Sequence, residues 1–411
     1  MDSTAVLSRV PAAAGVRDRL RAAVLDARGR RTGAAPTGAL AHSWLLTGAP
    51  GSGRSTAAHA FAAALLCTDP EAPGCGRCEG CRTALAGTHA ELLRVATEAN
   101  QFHVEYIRGE VIPWLYRRPT TAAWRVAVVE DADRLHTRGG DDKCANALLK
   151  VVEEPPERTI IVFCAPSTDP ADFSVTLRSR CRHVHLPAPA VADVAALLRA
   201  EQPELPAEQV DWAAAVAAGH IGRARGLLLD EDTRAWRGRA LDLVEAVFDP
   251  SGGYLRARDM GELAGELPKR HFAEREEREI AELEDSLGVG ARGRGAQAAT
   301  RGTKHLFKEL EERQKRRRAR MGRDLLDQAL TDIAMLYRDA LTAALGAGSA
   351  PLVPDRARTA AALARRLPPE TLLRCIDAVT AARGQPVQVQ PTVILTALVG
   401  SLQRLGRVGV R

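Results

Sequence analysis

Short unbroken apolar runs punctuate the first half of the chain: Trp44-Leu45-Leu46, Glu91 to Val95, Arg125 to Glu130, Thr159 to Cys164 and His183 to Leu186. Runs this short, without polar alternation, predict strands buried on both faces, as in a parallel sheet. Between them lie stretches of helical spacing: Ala57 to Leu66, Val104 to Tyr116 with a break near Pro113, and Cys144 to Val152, which stops before Pro155-Pro156. Strands alternating with helices predict an α/β fold with helices on both faces of the sheet. Beyond Pro187-Ala188-Pro189 strand candidates cease. Val191 to about Leu229 has helical spacing broken at Pro203 and Pro206, and from about Arg234 the pattern is helical to the C-terminus, interrupted at Gly288 to Gly302 and at Gly346 to Pro354. The expected organisation is an α/β domain over 1–188, a small helical domain over 189–233 and a C-terminal helical domain over 234–411 with a flexible loop near 288–302. No solenoid-type repeat is present.

At 411 residues, 45% hydrophobic and 26% charged, the chain has the composition of a globular protein of two to three domains. No apolar run is long enough to span a membrane, and Met1 to Val10 lacks the charged-then-apolar order of a signal peptide, so a cytoplasmic location is expected. The net charge of +6 is compatible with nucleic acid without pointing to it. In a reducing compartment the eight cysteines are not expected to pair as disulfides.

Gly48-Ala49-Pro50-Gly51-Ser52-Gly53-Arg54-Ser55 matches the phosphate-loop pattern G-x-x-x-x-G-K-[S/T] at every place but one, and it stands between a predicted strand and a predicted helix. Glycines let such a loop wrap so that backbone N–H groups face phosphate oxygens, and the helix N-terminus adds its dipole. Gly48, Gly51, Gly53, Arg54, Ser55 and Thr56 are the candidate nucleotide-binding residues, with Ser55 offering its hydroxyl to Mg²⁺. Arg54 occupies the lysine position, and a planar guanidinium does not replace a compact ammonium at the β- and γ-phosphates. The alternative is a glycine-rich strand-to-helix turn that holds no nucleotide.

Val126 to Asp133 (VAVVEDAD) is an apolar strand ending in carboxylates, the arrangement that brings an acid to a metal and a second acid to a water. The order, Glu130 then Asp131, reverses the Asp-Glu order of active ATPases of this kind. Read alone, the segment is equally a buried strand running into a solvated acidic loop. Cys67, Cys75, Cys78 and Cys81 follow the predicted phosphate-loop helix at a spacing suited to one tetrahedral Zn²⁺, with Gly74, Gly76 and Gly80 expected to make the tight turns. Four sulfur ligands leave no open position, so the expected role is structural; the alternative is a set of reduced free thiols.

The order of these elements, followed by Asn146 to Pro156 (NALLKVVEEPP) and Ser179-Arg180-Cys181, resembles bacterial DNA polymerase III clamp-loader subunits of the AAA+ class. A four-cysteine module inside such a body narrows the resemblance to gamma/tau and delta-prime, and Arg54 with the Glu130-Asp131 order favours delta-prime. The resemblance is dense over 40–190, looser to 230, and beyond that rests on helical character. It implies an AAA+ P-loop body carrying a zinc module, then a small helical lid and a C-terminal helical collar. It further implies gamma/tau and delta subunits, the sliding clamp and primer–template DNA as partners, and polymerase activity that resides elsewhere in the holoenzyme. Arg180 takes the place of an arginine finger acting on a neighbouring subunit's ATP site, and Thr168 lies near the sensor position. In Gly219 to Arg223 (GHIGR), the resemblance sets Gly222 where an active subunit has its sensor arginine, with the adjacent Arg223 as the alternative, and the family's N-terminal Val-Gly-Gln segment is replaced by Arg9 to Ala13 (RVPAA). These departures weaken the expected ATP·Mg²⁺ site and imply little or no ATPase activity of the chain's own; the alternative is an active gamma/tau-type motor subunit. A nucleic-acid-binding zinc protein on an inert NTPase fold is a more distant reading.

Arg313 to Arg323 (RQKRRRARMGR) is densely basic. Glu311 with Lys315 and Glu312 with Arg316 have the i,i+4 spacing of ion pairs on a solvated helix, and the same cations would serve a helix that contacts DNA phosphates.

Overall fold

The computed structural model describes residues 5–8, 10, 14–99, 101–135, 142–249, 251–287, 304–386 and 388–408. The expected flexible loop at 288–302 and most of the Arg9 to Ala13 segment lie outside them. The chain forms two compact units, Met1–Thr97 with Gln101–Leu228, and Glu98–Asn100 with Leu229–Arg411.

The first unit is built on a parallel sheet of β1 (Ser43–Thr47), β2 (Leu92–Val95), β3 (Arg125–Val129), β4 (Thr159–Ala165) and β5 (Arg182–His185), in the order β2-β3-β4-β1-β5. Every residue of β1, β3 and β4 is buried, which is why their apolar runs are unbroken. Successive side chains point to opposite faces, so each run feeds two cores. Trp44, Leu46, Val126, Val128, Ile160 and Val162 enter one, against α1 (Ala14–Arg31) and α2 (Arg54–Leu65). Leu45, Ala127, Val129, Ile161 and Phe163 enter the other, against the helical run Val104–Leu115 and α4 (Lys143–Glu153), which follows the short α3 (Glu79–Leu85) of the cysteine module. The expected break near Pro113 takes the form of a π-helical turn over Ile107–Val111. Proline has no N–H to return to the carbonyl four residues earlier, and the ladder widens just before it. At the foot of the sheet Glu91, 1% exposed, accepts from the Thr120 and Thr121 amides at 2.7 and 3.2 Å and pairs with Arg125, whose guanidinium lies over the Trp114 ring.

After the short α5 (Val175–Arg178) and β5, a helical trio, α6 (Val191–Glu201), α7 (Ala207–Val216) and α8 (Ile221–Leu229), closes around Val194, Leu198, Val210, Ala214 and Leu227.

The second unit is helical: α9 (Glu231–Ala246), α10 (Gly252–Ser286), α11 (Lys304–Ala344), α12 (Ala357–Arg366), α13 (Pro369–Arg383) and α14 (Pro391–Val408). Its core runs from Trp236 and Leu243 through Leu326, Ile333 and Leu336 to Leu395 and Leu402. The basic run lies on α11, and much of it serves the fold. Arg317, 4% exposed, is bound by Glu279 at 2.7 and 2.9 Å and stacks on Phe272. Arg318 pairs with Glu276 at 2.9 Å, and Arg323 donates to the carbonyls of Arg383 and Gln385 at the end of α13. Among the described residues, Glu311–Lys315 and Glu312–Arg316 do not form: the acids that pair with this run are Glu276 and Glu279 of α10, Glu98, and Asp324 one turn further along α11.

Candidate functional site

The phosphate-loop segment leaves the C-terminal end of β1, which lies between β4 and β5 although the chain next forms β2 at the far edge. Such a change of direction opens a crevice at the strand ends, where ligands of open α/β sheets bind. Gly48 is wedged there: its N–H donates to the Pro166 carbonyl at 3.1 Å, and a Cβ on it would lie 2.2 Å from the Leu186 carbonyl oxygen. Gly51 and Gly53 have φ of +81° and +88°, a left-handed conformation that favours glycine. α2 then begins at Arg54, with Ser55 and Thr56 exposed in its first turn. The loop therefore has the backbone form the sequence predicts.

Its acidic side chains make contacts within the chain. Glu130 emerges from β3 with its Oε1 already engaged by two side chains, the His59 imidazole Nε2 at 2.7 Å and the Arg94 guanidinium Nη2 at 2.9 Å. The hydrogen bond from His59, then that from Arg94, holds the carboxyl below its ordinary range despite its burial. His59 lies one helical turn beyond Ser55 on α2, and Arg94 on β2 sits beside Val128 of β3, so helix and neighbouring strand deliver both groups to one carboxylate. With Ser55 and Thr56 these residues line a cavity of about 380 Å³. Asp131, at φ +48°, turns to Arg134, with 3.5 Å between its Oδ2 and Nε. Arg54 is half-buried, with Nη1 lacking a partner, and its charge is felt by Asp133, Cys164 and His220.

The helical trio reaches the loop through His220. A Cβ added to Gly51 would lie 2.1 Å from the imidazole Cγ and 2.5 Å from the His220 Cα. The ring's Nδ1 accepts the Arg223 N–H at 3.0 Å, which leaves the proton of the neutral imidazole on Nε2. Burial, first, and the nearby Arg223 lower its pKa. Gly222, the expected sensor position, thus brings no side chain to the loop, while its neighbour two residues earlier covers Gly51.

The four sulfurs of Cys67, Cys75, Cys78 and Cys81 lie within 4.8 Å of one another, with Cys67 Sγ 3.9 Å from Cys75 Sγ and 3.7 Å from Cys78 Sγ. A tetrahedron with bonds of about 2.3 Å to sulfur has edges of about 3.8 Å, so the cluster fits one Zn²⁺. The amides of Cys78 and Cys81 each donate to the sulfur three residues before them, at 3.3 Å, and such hydrogen bonds favour thiolate ligands. Gly74 and Gly76 make the expected turns, at φ of +74° and +75°. Gly80 does not: it lies inside α3, and glycine is needed there because a Cβ would stand 2.3 Å from the Leu66 carbonyl oxygen.

Thr168 follows β4 at the same edge of the sheet, where its carbonyl accepts from Arg178 at 2.8 Å. Arg180 stands at the surface after α5, its side chain 36% exposed. Its Nη1 donates to the Thr176 carbonyl at 2.8 Å and to Ser179 Oγ at 3.1 Å, and its Nη2 lies 2.6 Å from Glu153 Oε1 at the end of α4. His59, Arg94, His220 and Glu153 were not singled out by sequence reasoning. The signals available were the place of His59 on the same helix face as Ser55 and the presence of His220 and Glu153 within the GHIGR and NALLKVVEEPP segments.

Residues 32–190 match the family model described as "DNA polymerase III, delta subunit". The chain is 31% identical over 182 residues to the DNA polymerase III subunit delta' of Pseudomonas aeruginosa, covering 44% of this chain and 53% of that one. It is 32% identical over 216 residues to the delta' of Escherichia coli, covering 52% and 61% respectively. It is also 33% identical over 150 residues to subunit tau/gamma of Haemophilus influenzae, covering 36% of this chain and 20% of that one. The chain thus spans little more than half the length of the delta' relatives it matches. Over its sheet-bearing part it is similar to clamp-loader subunits of the delta-prime type, which are related to gamma/tau. Among the described residues, no helix is long and apolar enough to cross a membrane.

Proposed function

We propose that this chain is the delta-prime subunit of a bacterial DNA polymerase III clamp loader, one that supports loading of the sliding clamp on primed DNA without being an effective ATPase itself. Its partners on this reading are the gamma/tau and delta subunits, the clamp and, through the complex, primer–template DNA. The observation that carries the reading is Glu130. The carboxylate that should meet a metal is already occupied by a hydrogen bond from His59 and an ion pair with Arg94 of the same chain, and a Mg²⁺ ion would have to displace both. Arg54 at the lysine position, Gly222 at the sensor position and His220 against Gly51 act in the same direction. Zn²⁺ bound by Cys67, Cys75, Cys78 and Cys81 would tie the end of α2 to α3, supplying structure and no chemistry.

Arg180 is the in-trans finger on this reading. Its planar fork suits the charge that develops on a transferring phosphoryl group, and it lies at the surface, within reach of another molecule. Neighbouring motor subunits bind ATP, the ring takes its DNA-binding form with the clamp held open, and contact with primed DNA triggers hydrolysis assisted by Arg180. The test is ATP turnover by the purified chain alone and in the reconstituted loader. The expected result is no turnover alone, and turnover in the complex that drops in Arg180→Ala, because a finger is worth about 10³-fold or more at the site it serves. The gamma/tau-type motor remains the second reading, favoured by the intact left-handed glycines of the loop. Turnover by the isolated chain, abolished by Ser55→Ala or Asp131→Asn, would establish it.

A further inference from the structure

Arg180 does not project freely from the surface. Three acceptors hold its guanidinium: the Thr176 carbonyl at 2.8 Å, Ser179 Oγ at 3.1 Å and, on the other terminal nitrogen, Glu153 Oε1 at 2.6 Å. The first two belong to the turn that carries the arginine and travel with it. Glu153 does not. It is the last residue of α4, on a separate element that ends as the chain turns into Pro155-Pro156, and its side chain is 45% exposed. Ser179 Oγ itself donates to the Thr176 carbonyl at 2.9 Å, so the local part of the cage is braced, while the carboxylate is the part that can be exchanged.

An arginine stabilises a transferring phosphate through its positive charge and its N–H groups. A carboxylate at 2.6 Å draws on both: it takes one N–H and offsets the charge at the point where anionic phosphate would approach. An ion pair this exposed is also weak, because solvent screens it and two long side chains must be held in place. The pair is strong enough to bias the arginine and weak enough to be given up to a triphosphate.

We propose that Glu153 is a positioning residue that parks Arg180 in cis and restrains its action on the neighbouring ATP site until assembly on DNA separates the pair. The proposal rests on the reading of Arg180 as a finger. Glu153 touches no reacting atom and acts only through the arginine. On this account its removal raises hydrolysis in the state where the pair is made and leaves the triggered state unchanged.

The test is a steady-state ATPase assay of the full reconstituted loader, with and without clamp and primed DNA. It compares the parent chain with Glu153→Gln, Glu153→Asp, Arg180→Ala and the Glu153→Gln/Arg180→Ala double variant, with Glu154→Gln as the neighbouring-charge control. Glu153→Gln is expected to raise kcat without DNA by about two- to fivefold, the range an exposed ion pair is worth, with KM for ATP unchanged. The DNA-stimulated rate should stay the same, Glu153→Asp should restore the restraint, and the double variant should match Arg180→Ala. A Glu153→Gln rate without DNA that is unchanged or lower, while Arg180→Ala lowers hydrolysis, overturns the parking role and leaves the finger standing. A rate that rises equally in the double variant also overturns it, since the effect would not pass through Arg180. If Arg180→Ala changes neither rate, it is the finger assignment itself that fails.

Discussion

Gly51→Ala asks whether the helical trio is packed tightly against the phosphate loop. Two costs can be worked out separately. Gly51 has φ +81°, and a left-handed conformation costs a residue with a Cβ about 1–2 kcal/mol. The new methyl would also stand 2.1 and 2.3 Å from the His220 ring and 2.5 Å from its Cα. The ring can swing aside; the backbone cannot, and the start of α8 would have to retreat by nearly an ångström. Overpacking of that kind costs about 1–3 kcal/mol, so the substitution should destabilise the first unit by about 2–5 kcal/mol in all. The assay is urea unfolding followed by tryptophan fluorescence, with amide hydrogen exchange over Ile221–Leu229 reporting the local opening. Adding His220→Ala should recover part of the loss and no more, since the φ cost and the clash with the backbone of residue 220 persist. Gly238→Ala is the control. That glycine lies in α9 with nothing within 4 Å of the added Cβ, and the change should stabilise by about 0.5–1 kcal/mol. A loss below about 1 kcal/mol in Gly51→Ala, with unaltered exchange over α8, would refute the argument that this loop is held by packing.

The metal prediction is about one equivalent of zinc per purified chain, falling below half in Cys81→Ser as measured by elemental analysis, with α3 becoming sensitive to protease. Glu91→Gln should cost about 3–5 kcal/mol in urea unfolding, because Arg125, 6% exposed, is left buried without its counter-charge; a cost within error of zero would show that solvent reaches the pair. On the acid side, the hydrogen bond from Arg317 holds Glu279 down at about 2, so its contribution is complete above the ordinary value of 4.5 and is lost as the pH falls from there toward about 2. Glu279→Gln should lose that part of the acid dependence of α10 and α11, read by helical circular dichroism against pH.

How much of this was legible in the sequence depended on the range of the interactions. β1, β3 and β4 were readable because burial on both faces leaves no polar interruption to blur the run, and their bounds moved by a residue or less. α1 went unread although Val16, Leu20, Ala23, Val24 and Ala27 line its buried side, since small alanines among arginines make a faint stripe. The cysteine cluster was legible for a local reason: successive ligands three to eight residues apart, with glycine turns between them, can reach one another. Gly80 was misread because its constraint is a carbonyl from Leu66, across an approach that spacing does not reveal. His59 and Arg94 lie 71 and 36 residues from Glu130, and nothing in the local pattern of VVEDAD announces which side chains the fold will bring to it.

The glycines of the phosphate loop answer to packing as well as to ligand. Gly48 is required by the Leu186 carbonyl, and Gly51 by His220 and its own left-handed backbone; these are demands of packing within the chain and would persist if no nucleotide ever entered. A glycine pattern therefore reports the shape of a strand-to-helix turn, and shape is kept when chemistry is lost. What separates a working site from an inherited one is whether its charges are left for the ligand. Here Glu130 is bound by His59 and Arg94, and Asp131 turns to Arg134. Arg180, the one cation assigned to chemistry, stands on a different edge of the unit with a single exchangeable partner. On the proposed reading, a chain that engages its acids internally and holds Arg180 by an exchangeable pair would complete another subunit's site. On that reading Arg54→Lys alone should not bring ATP turnover to the isolated chain, since Glu130 would still be held by His59 and Arg94 of its own chain.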